Sequence, residues 1–217
     1  MEGIIMTKTL TQIISAIQAL LLDDGTRFTT ATVTAACRSA LRDFNMVAPV
    51  FAGELIDVVN TQKEYALNAT AFQNLIDIQD VLKQGTDTYL DDNNSLPFDF
   101  YMEDNAPFIR LRTAQSSGYL IVRYTIPNTV SGLDSETEST IPAYWDNTLI
   151  DGTCYYSCLV RSAGRVETIN LNQGVPDTLQ QTLAFYRQAF QMGLAQASRT
   201  HAPISNPSTA AWNDRWH

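Results

Sequence analysis

Phe108-Ile109-Arg110-Leu111-Arg112-Thr113-Ala114-Gln115-Ser116-Ser117-Gly118-Tyr119-Leu120-Ile121-Val122-Arg123-Tyr124-Thr125-Ile126 is the stretch that decides the fold class. Apolar and polar residues alternate through 108–112 and again through 120–126, the period of a half-buried strand. Gln115-Ser116-Ser117-Gly118 lies between them as a turn, so the stretch reads as a β-hairpin. Leu75 to Leu82 reads as a third strand and Glu64-Tyr65-Ala66-Leu67 as a fourth. Asp91-Asp92-Asn93-Asn94-Ser95 and the Ser-, Thr- and Glu-rich run 130–140 read as loops.

Outward from this region the period becomes helical on both sides. From Thr7 to Leu22, Leu10, Ile13, Ile14, Ile17, Leu20 and Leu21 form one apolar face. Thr7 or Thr9 can cap that helix, and Asp23-Asp24-Gly25 ends it, the glycine suiting a left-handed stop. Thr29 to Val47 is a second helix, with Val33, Ala36, Cys37, Ala40, Leu41 and Phe44 on one stripe, and the short link predicts an antiparallel pair. Pro142 stands where a third helix begins, since its missing N–H costs nothing there. Trp145, Leu149, Gly152, Tyr156, Leu159 and Ala163 share a face of it, and Gly152 is costly unless another backbone packs close by. A fourth helix spans about Pro176 to Arg199, with the stripe Leu179, Leu183, Tyr186, Phe190, Gly193, Leu194 and Ala197.

The expected fold is therefore α+β: a bundle of about four helices, two N-terminal and two C-terminal, with an inserted small antiparallel β-sheet and an extended C-terminal arm. Residues 1–199 form a single domain, with a helical core of 7–50 and 141–199 and an acidic β insert of 51–140. Residues 200–217 are aperiodic and form the arm.

The net charge is −9, and residues 51–140 carry fourteen acids against five bases, while the flanking thirds balance. A protein that grips nucleic acid through phosphates needs the opposite sign. The acidic third is either a solvated loop region or a surface that faces DNA without holding it. No window approaches the roughly 20 apolar residues that span a bilayer, and Met1 to Met6 lacks the basic start of a signal peptide. Three cysteines, Cys37, Cys154 and Cys158, argue against a disulfide framework and fit assembly in a reducing cytoplasm.

Few residues could carry chemistry. Cys154 and Cys158 stand one helical turn apart but lack further metal ligands, because His201 and His217 both lie at the C-terminal end. The expectation is one buried and one half-buried thiol, and no metal. The acid pairs Asp23-Asp24 and Asp91-Asp92 lie in loops, where carboxylates are solvated rather than tuned for proton transfer. No glycine-rich phosphate loop or nucleophile elbow follows a strand. The reading is of a protein that is not an enzyme and holds no cofactor. Arg110, Arg112 and Arg123, on the one hairpin, either form a small patch for DNA phosphates or balance nearby acids. Trp212 and Trp216 are large anchors of the kind that dominate interfaces.

Taken in order, these segments resemble the adaptor (head–tail connector) proteins of tailed bacteriophages, over roughly residues 7 to 199. The resemblance rests on Asp23-Asp24-Gly25, then Phe28-Thr29-Thr30 leading into the second helix, then Lys63-Glu64-Tyr65-Ala66-Leu67. It continues with Arg110-Leu111 and Val122-Arg123-Tyr124, Ile141-Pro142-Ala143-Tyr144-Trp145, and Phe185-Tyr186 with Phe190. Their order and spacing carry it, since none is specific alone. The long acidic middle and the tryptophan-bearing end depart from the common pattern. The resemblance implies a structural virion protein at the head–tail junction: a homo-oligomeric, dodecameric ring beneath the portal protein, bound to tail or neck proteins, through which DNA passes non-specifically, with no membrane. It implies a portal-binding arm, here Pro203, Pro207, Trp212, Arg215 and Trp216. The subunit or channel surface would then include Asp91, Asp92, Glu103, Asp104, Arg110, Arg112 and Arg123. The alternatives are a stopper or tail terminator, a small hydrolase with a carboxylate pair, and a cytoplasmic binding module.

Overall fold

A computed structural model of the chain describes residues 8–23, 25–68, 75–84, 95–104, 106–168 and 177–201. Over these residues it is a mixed α+β protein with four α-helices and two small antiparallel sheets. The chain divides into two compact units: a helical one built from the stretches up to Ala48 and from Asn128 onward, and a β unit spanning Pro49–Pro127. Residues 128–140, expected to close the β insert, belong with the helices. There Val130 and Leu133 are buried in the helical core, the Leu10 N–H donates to the Ser131 carbonyl, and the Ser139 hydroxyl donates to the Lys8 carbonyl.

In the helical unit, α1 (Leu10–Leu20) opens on Thr9. Its hydroxyl accepts the Gln12 N–H while the Gln12 side chain accepts the Thr9 N–H, a reciprocal cap. The helix stops earlier than glycine alone dictates: Leu22 is already left-handed at φ +49, and Gly25 at φ +90 lies in the link beyond. The Asp23 carboxylate secures that link by accepting the Arg27 and Phe28 N–H groups. Thr29 caps α2 (Thr30–Val47), which buries Val33, Ala36, Cys37, Ala40 and Phe44. It ends at Ala48 because Pro49 disfavours helical geometry in the residue before it.

A 3-10 turn, Ala143–Trp145, led by Pro142, feeds α3 (Asp146–Thr168), and α4 (Asp177–His201) follows. The α3–α4 contact is built on two glycines. A Cβ on Gly152 would sit 2.6 Å from the Phe190 ring, and one on Gly193 2.5 Å from the Thr148 side chain. What needs Gly152 is thus an aromatic ring, not the close backbone expected from its position. Phe44 meets Trp145 edge-on at 6.2 Å and Tyr156 meets Phe190 at 6.4 Å in the same core.

In the β unit, β1 (Val50–Asp57), β2 (Glu64–Ala66), β3 (Asp77–Gln84), β4 (Phe98–Glu103), β5 (Ala106–Leu111) and β6 (Tyr119–Ile126) form two sheets of order β1-β6-β3 and β2-β5-β4. The expected hairpin does not exist: β5 and β6 are the central strands of different sheets. Ile109 and Leu111 from one, and Leu120, Val122 and Tyr124 from the other, enter a shared core. The link 112–118 is longer than tight hairpin loops, which run about 2–5 residues, and crosses from sheet to sheet. The true hairpin is β4–β5, where Glu103 faces Ala106 and Asp104 enters the turn at φ +49. β1 and β4 lay outside the sequence expectation, and so did the second sheet.

Candidate functional site

The β unit concentrates the charge: residues 49–127 hold eleven acids and five bases. Pairing register decides what those bases can do. Arg110 on β5 stands between Glu64 on β2 and Asp99 on β4, in one row across the sheet. Its Nε lies 3.4 Å from the Glu64 carboxylate. Arg112, just past β5, lies 4.0 Å from Asp99, and its carbonyl accepts the Lys63 ammonium at 3.2 Å. Both arginines are thus matched by carboxylates on their own sheet. Arg123 sits apart on β6 of the other sheet, in register with Gly53 on β1 and Asp80 on β3. The three do not form a patch, which corrects the reading of a single arginine-bearing hairpin.

Glu103 and Asp104 lie exposed at the tip of the β4–β5 hairpin. Behind them Tyr101 stacks on Phe108 with ring centres 5.6 Å apart. Desolvation against the sheet, with Glu64 and Glu103 adding to it, holds the Tyr101 phenol above its ordinary range. The two carboxylates make the tip unfavourable to phosphate. Asp91, Asp92 and the arm residues Pro203, Pro207, Trp212, Arg215 and Trp216 lie outside the described residues.

The helical unit brings Cys154, Cys158, Asp151 and Tyr186 near one another and pairs Tyr156 with Asp43 and Arg38 with Asp134. Cys37, Cys154 and Cys158 are all buried and unpaired, so the expected half-buried thiol is as enclosed as the other. Burial pushes the thiols up to about 11 at Cys37, about 12 at Cys154 and about 11 at Cys158, which suppresses the nucleophilic thiolate. The Tyr156 hydroxyl donates to the Asp43 carboxylate, and burial followed by that bond raises the phenol to about 12. Burial also raises Asp151, and raises Asp146 against the opposing pull of Lys8. Among the described residues no three His, Cys, Asp or Glu side chains gather as metal ligands, and no helix is long and apolar enough to cross a membrane.

Sequence reasoning passed over the residues that distinguish the β1-β6-β3 sheet. Phe51, Leu55 and Tyr119 are exposed on it around Gly53. The signal was a glycine inside an apolar run, Val50 to Asp57, where the acids and the glycine mask the alternation. Compared with known proteins, the chain matches no family model and no curated sequence.

Proposed function

We propose that the protein is a structural subunit of a tailed-phage particle, an adaptor ring at the head–tail junction that links portal to tail and lets DNA pass. The observation that carries the reading is the element order. Two helices, a β unit inserted once between Ala48 and Asn128, then two helices follow the same succession as the family that the sequence resembles. The Asn128 side chain supports the insertion: it donates to the Ala48 carbonyl and to Asn45, each at 2.8 Å, tying together the two ends of the helical unit's interruption. The acidic β unit, with Arg110 and Arg112 matched by carboxylates, is suited to face DNA without retarding it. The arm with Trp212 and Trp216 is the portal grip in this reading.

The six strands favour a second reading, a stopper or tail-terminator ring, since such proteins are richer in β-structure. Both are tested by mixing the purified chain with portal rings and imaging the sized complex. An adaptor assembles as a ring on the portal. A chain that stays monomeric in the presence of portal overturns the adaptor reading. Truncation after Arg199 is expected to abolish portal binding, and unchanged binding disposes of the arm as grip. Acids found on the outer rim of the imaged ring dispose of the negative channel.

A further inference from the structure

The exposed side of the β1-β6-β3 sheet carries three features that its own unit does not explain. First, Gly53 sits mid-strand, where glycine costs stability. Its φ is not positive, and a Cβ there would find its nearest neighbours at 3.8 and 4.0 Å, ordinary contact distances. Neither backbone conformation nor internal packing requires a glycine. Second, Arg123, directly across from Gly53, forms no ion pair among the described residues. Its other cross-strand neighbour, Asp80, accepts the Val81 N–H at 2.8 Å and the Ser95 hydroxyl at 2.6 Å on one carboxylate oxygen and makes no ion pair with Arg123. Third, Phe51 and Leu55, two positions either side of Gly53, are 49% and 58% exposed.

β1 is also an edge of its sheet. From Val50 to Asp57 it contains no proline and no lysine, the residues that commonly protect an edge from pairing. The one acid on the exposed side of β1 is Asp57, at the far end of the strand and level with Tyr119.

We propose that the free edge of β1 accepts an extended segment of a partner protein, which adds a strand to the sheet and carries a carboxylate opposite Gly53. Side chains of the added strand at the flanking same-face positions lie beside Phe51 and Leu55 and are apolar. The residue between them meets no side chain on β1. It reaches over Gly53 to the Arg123 guanidinium, about 10 Å away across two strand spacings, a span that a glutamate and an arginine close together. Gly53 is the gap that makes the ion pair possible. A phosphate backbone is disfavoured because a chain of charges would lie on Phe51 and Leu55, and the match here is to a single carboxylate in an apolar strand. The inference stands apart from the adaptor reading, because it rests only on this sheet.

The test titrates the full chain with short synthetic peptides of alternating valine and threonine, in which the central valine is replaced by glutamate or glutamine. Backbone amide shifts of β1 report binding. The glutamate peptide is expected to bind saturably at millimolar concentration or below and to perturb β1, with the glutamine peptide about tenfold weaker. Arg123→Gln removes that difference, and so does Gly53→Val by filling the gap. Arg123→Glu reverses it in favour of a lysine peptide, so a binding loss cannot be laid to misfolding. No shift of β1 at millimolar peptide, equal binding of both peptides, or unchanged discrimination in Gly53→Val overturns the proposal. Displacement of the glutamate peptide by single-stranded oligothymidylate at equal concentration overturns it in favour of a phosphate site.

Discussion

The helical unit and the β unit use the same residue type for different ends. Gly152 and Gly193 are required by what they touch, the Phe190 ring and the Thr148 side chain. Gly53 touches nothing that a larger residue would displace. The helical unit turns its three thiols and these two glycines to its own core, while Tyr144, Phe185 and Met192 stay exposed on its helices. Among its described residues the β unit leaves a sheet edge at β1, an arginine in no ion pair and apolar side chains in water. A residue that costs stability and has no internal reason points outward, and a residue whose reason is internal says nothing about partners.

The sharpest separation of the two units is expected at alkaline pH. The three cysteines lie in the helical unit, and burial raises each from an ordinary 9.0 to about 11 or 12. Burial likewise raises Tyr156 and Tyr186 from 10.0 to about 12. A group whose folded pKa is raised contributes stability that is complete below its unfolded pKa and is lost as pH rises through the folded value. Above the acid range in which the raised Asp146 and Asp151 titrate, helical stability should therefore be flat to about pH 9 and fall steadily from there toward pH 12. Denaturant midpoints followed by the helical circular dichroism signal measure this. A midpoint that does not move between about pH 8 and pH 11 contradicts the enclosure of the thiols.

That enclosure was only partly legible in the sequence. The stripe Val33, Ala36, Cys37, Ala40 and Phe44 told which face of α2 is buried, because a helix shows its buried face in its own period. Cys154 and Cys158 both proved buried because α3 is covered on more than one side, which a single stripe does not reveal. The strands were harder. Alternation identified β5 and β6 as strands, yet strand pairing is non-local, and the nearest neighbour in sequence was not the neighbour in the sheet. β1 escaped because Gly53 and Glu54 break its apolar run. The arginines followed the pairing: once β5 and β6 parted, Arg110 and Arg123 went to different sheets with different fates.

The glycines give the next largest contrast. Gly193→Val inserts side-chain atoms where a Cβ alone would sit 2.5 Å from Thr148, so overpacking should cost about 1–3 kcal/mol. Gly53→Val adds a strand-favouring residue in open space and should be neutral or stabilising by up to about 1 kcal/mol. Paired urea melts of the two variants decide it. Equal destabilisation by both would remove the distinction between an internally explained glycine and an outward-facing one.

The smallest effect separates the arginines. Arg110 pairs with Glu64 at 3.4 Å, but both side chains are more than half exposed, so solvent screens the pair. Arg110→Gln should cost well under about 1 kcal/mol, and the cost should shrink as salt is added. The substitution also leaves Glu64 and Asp99 facing each other across β5 without the cation between them, so the loss should be largest at low salt. Arg123→Gln removes no ion pair among the described residues and should leave stability unchanged at any salt concentration. Thermal melts of the two variants at low and high salt measure both. A salt-dependent loss from Arg123→Gln would mean that Arg123 is already neutralised by its own unit, and an outside carboxylate would then have nothing to bind.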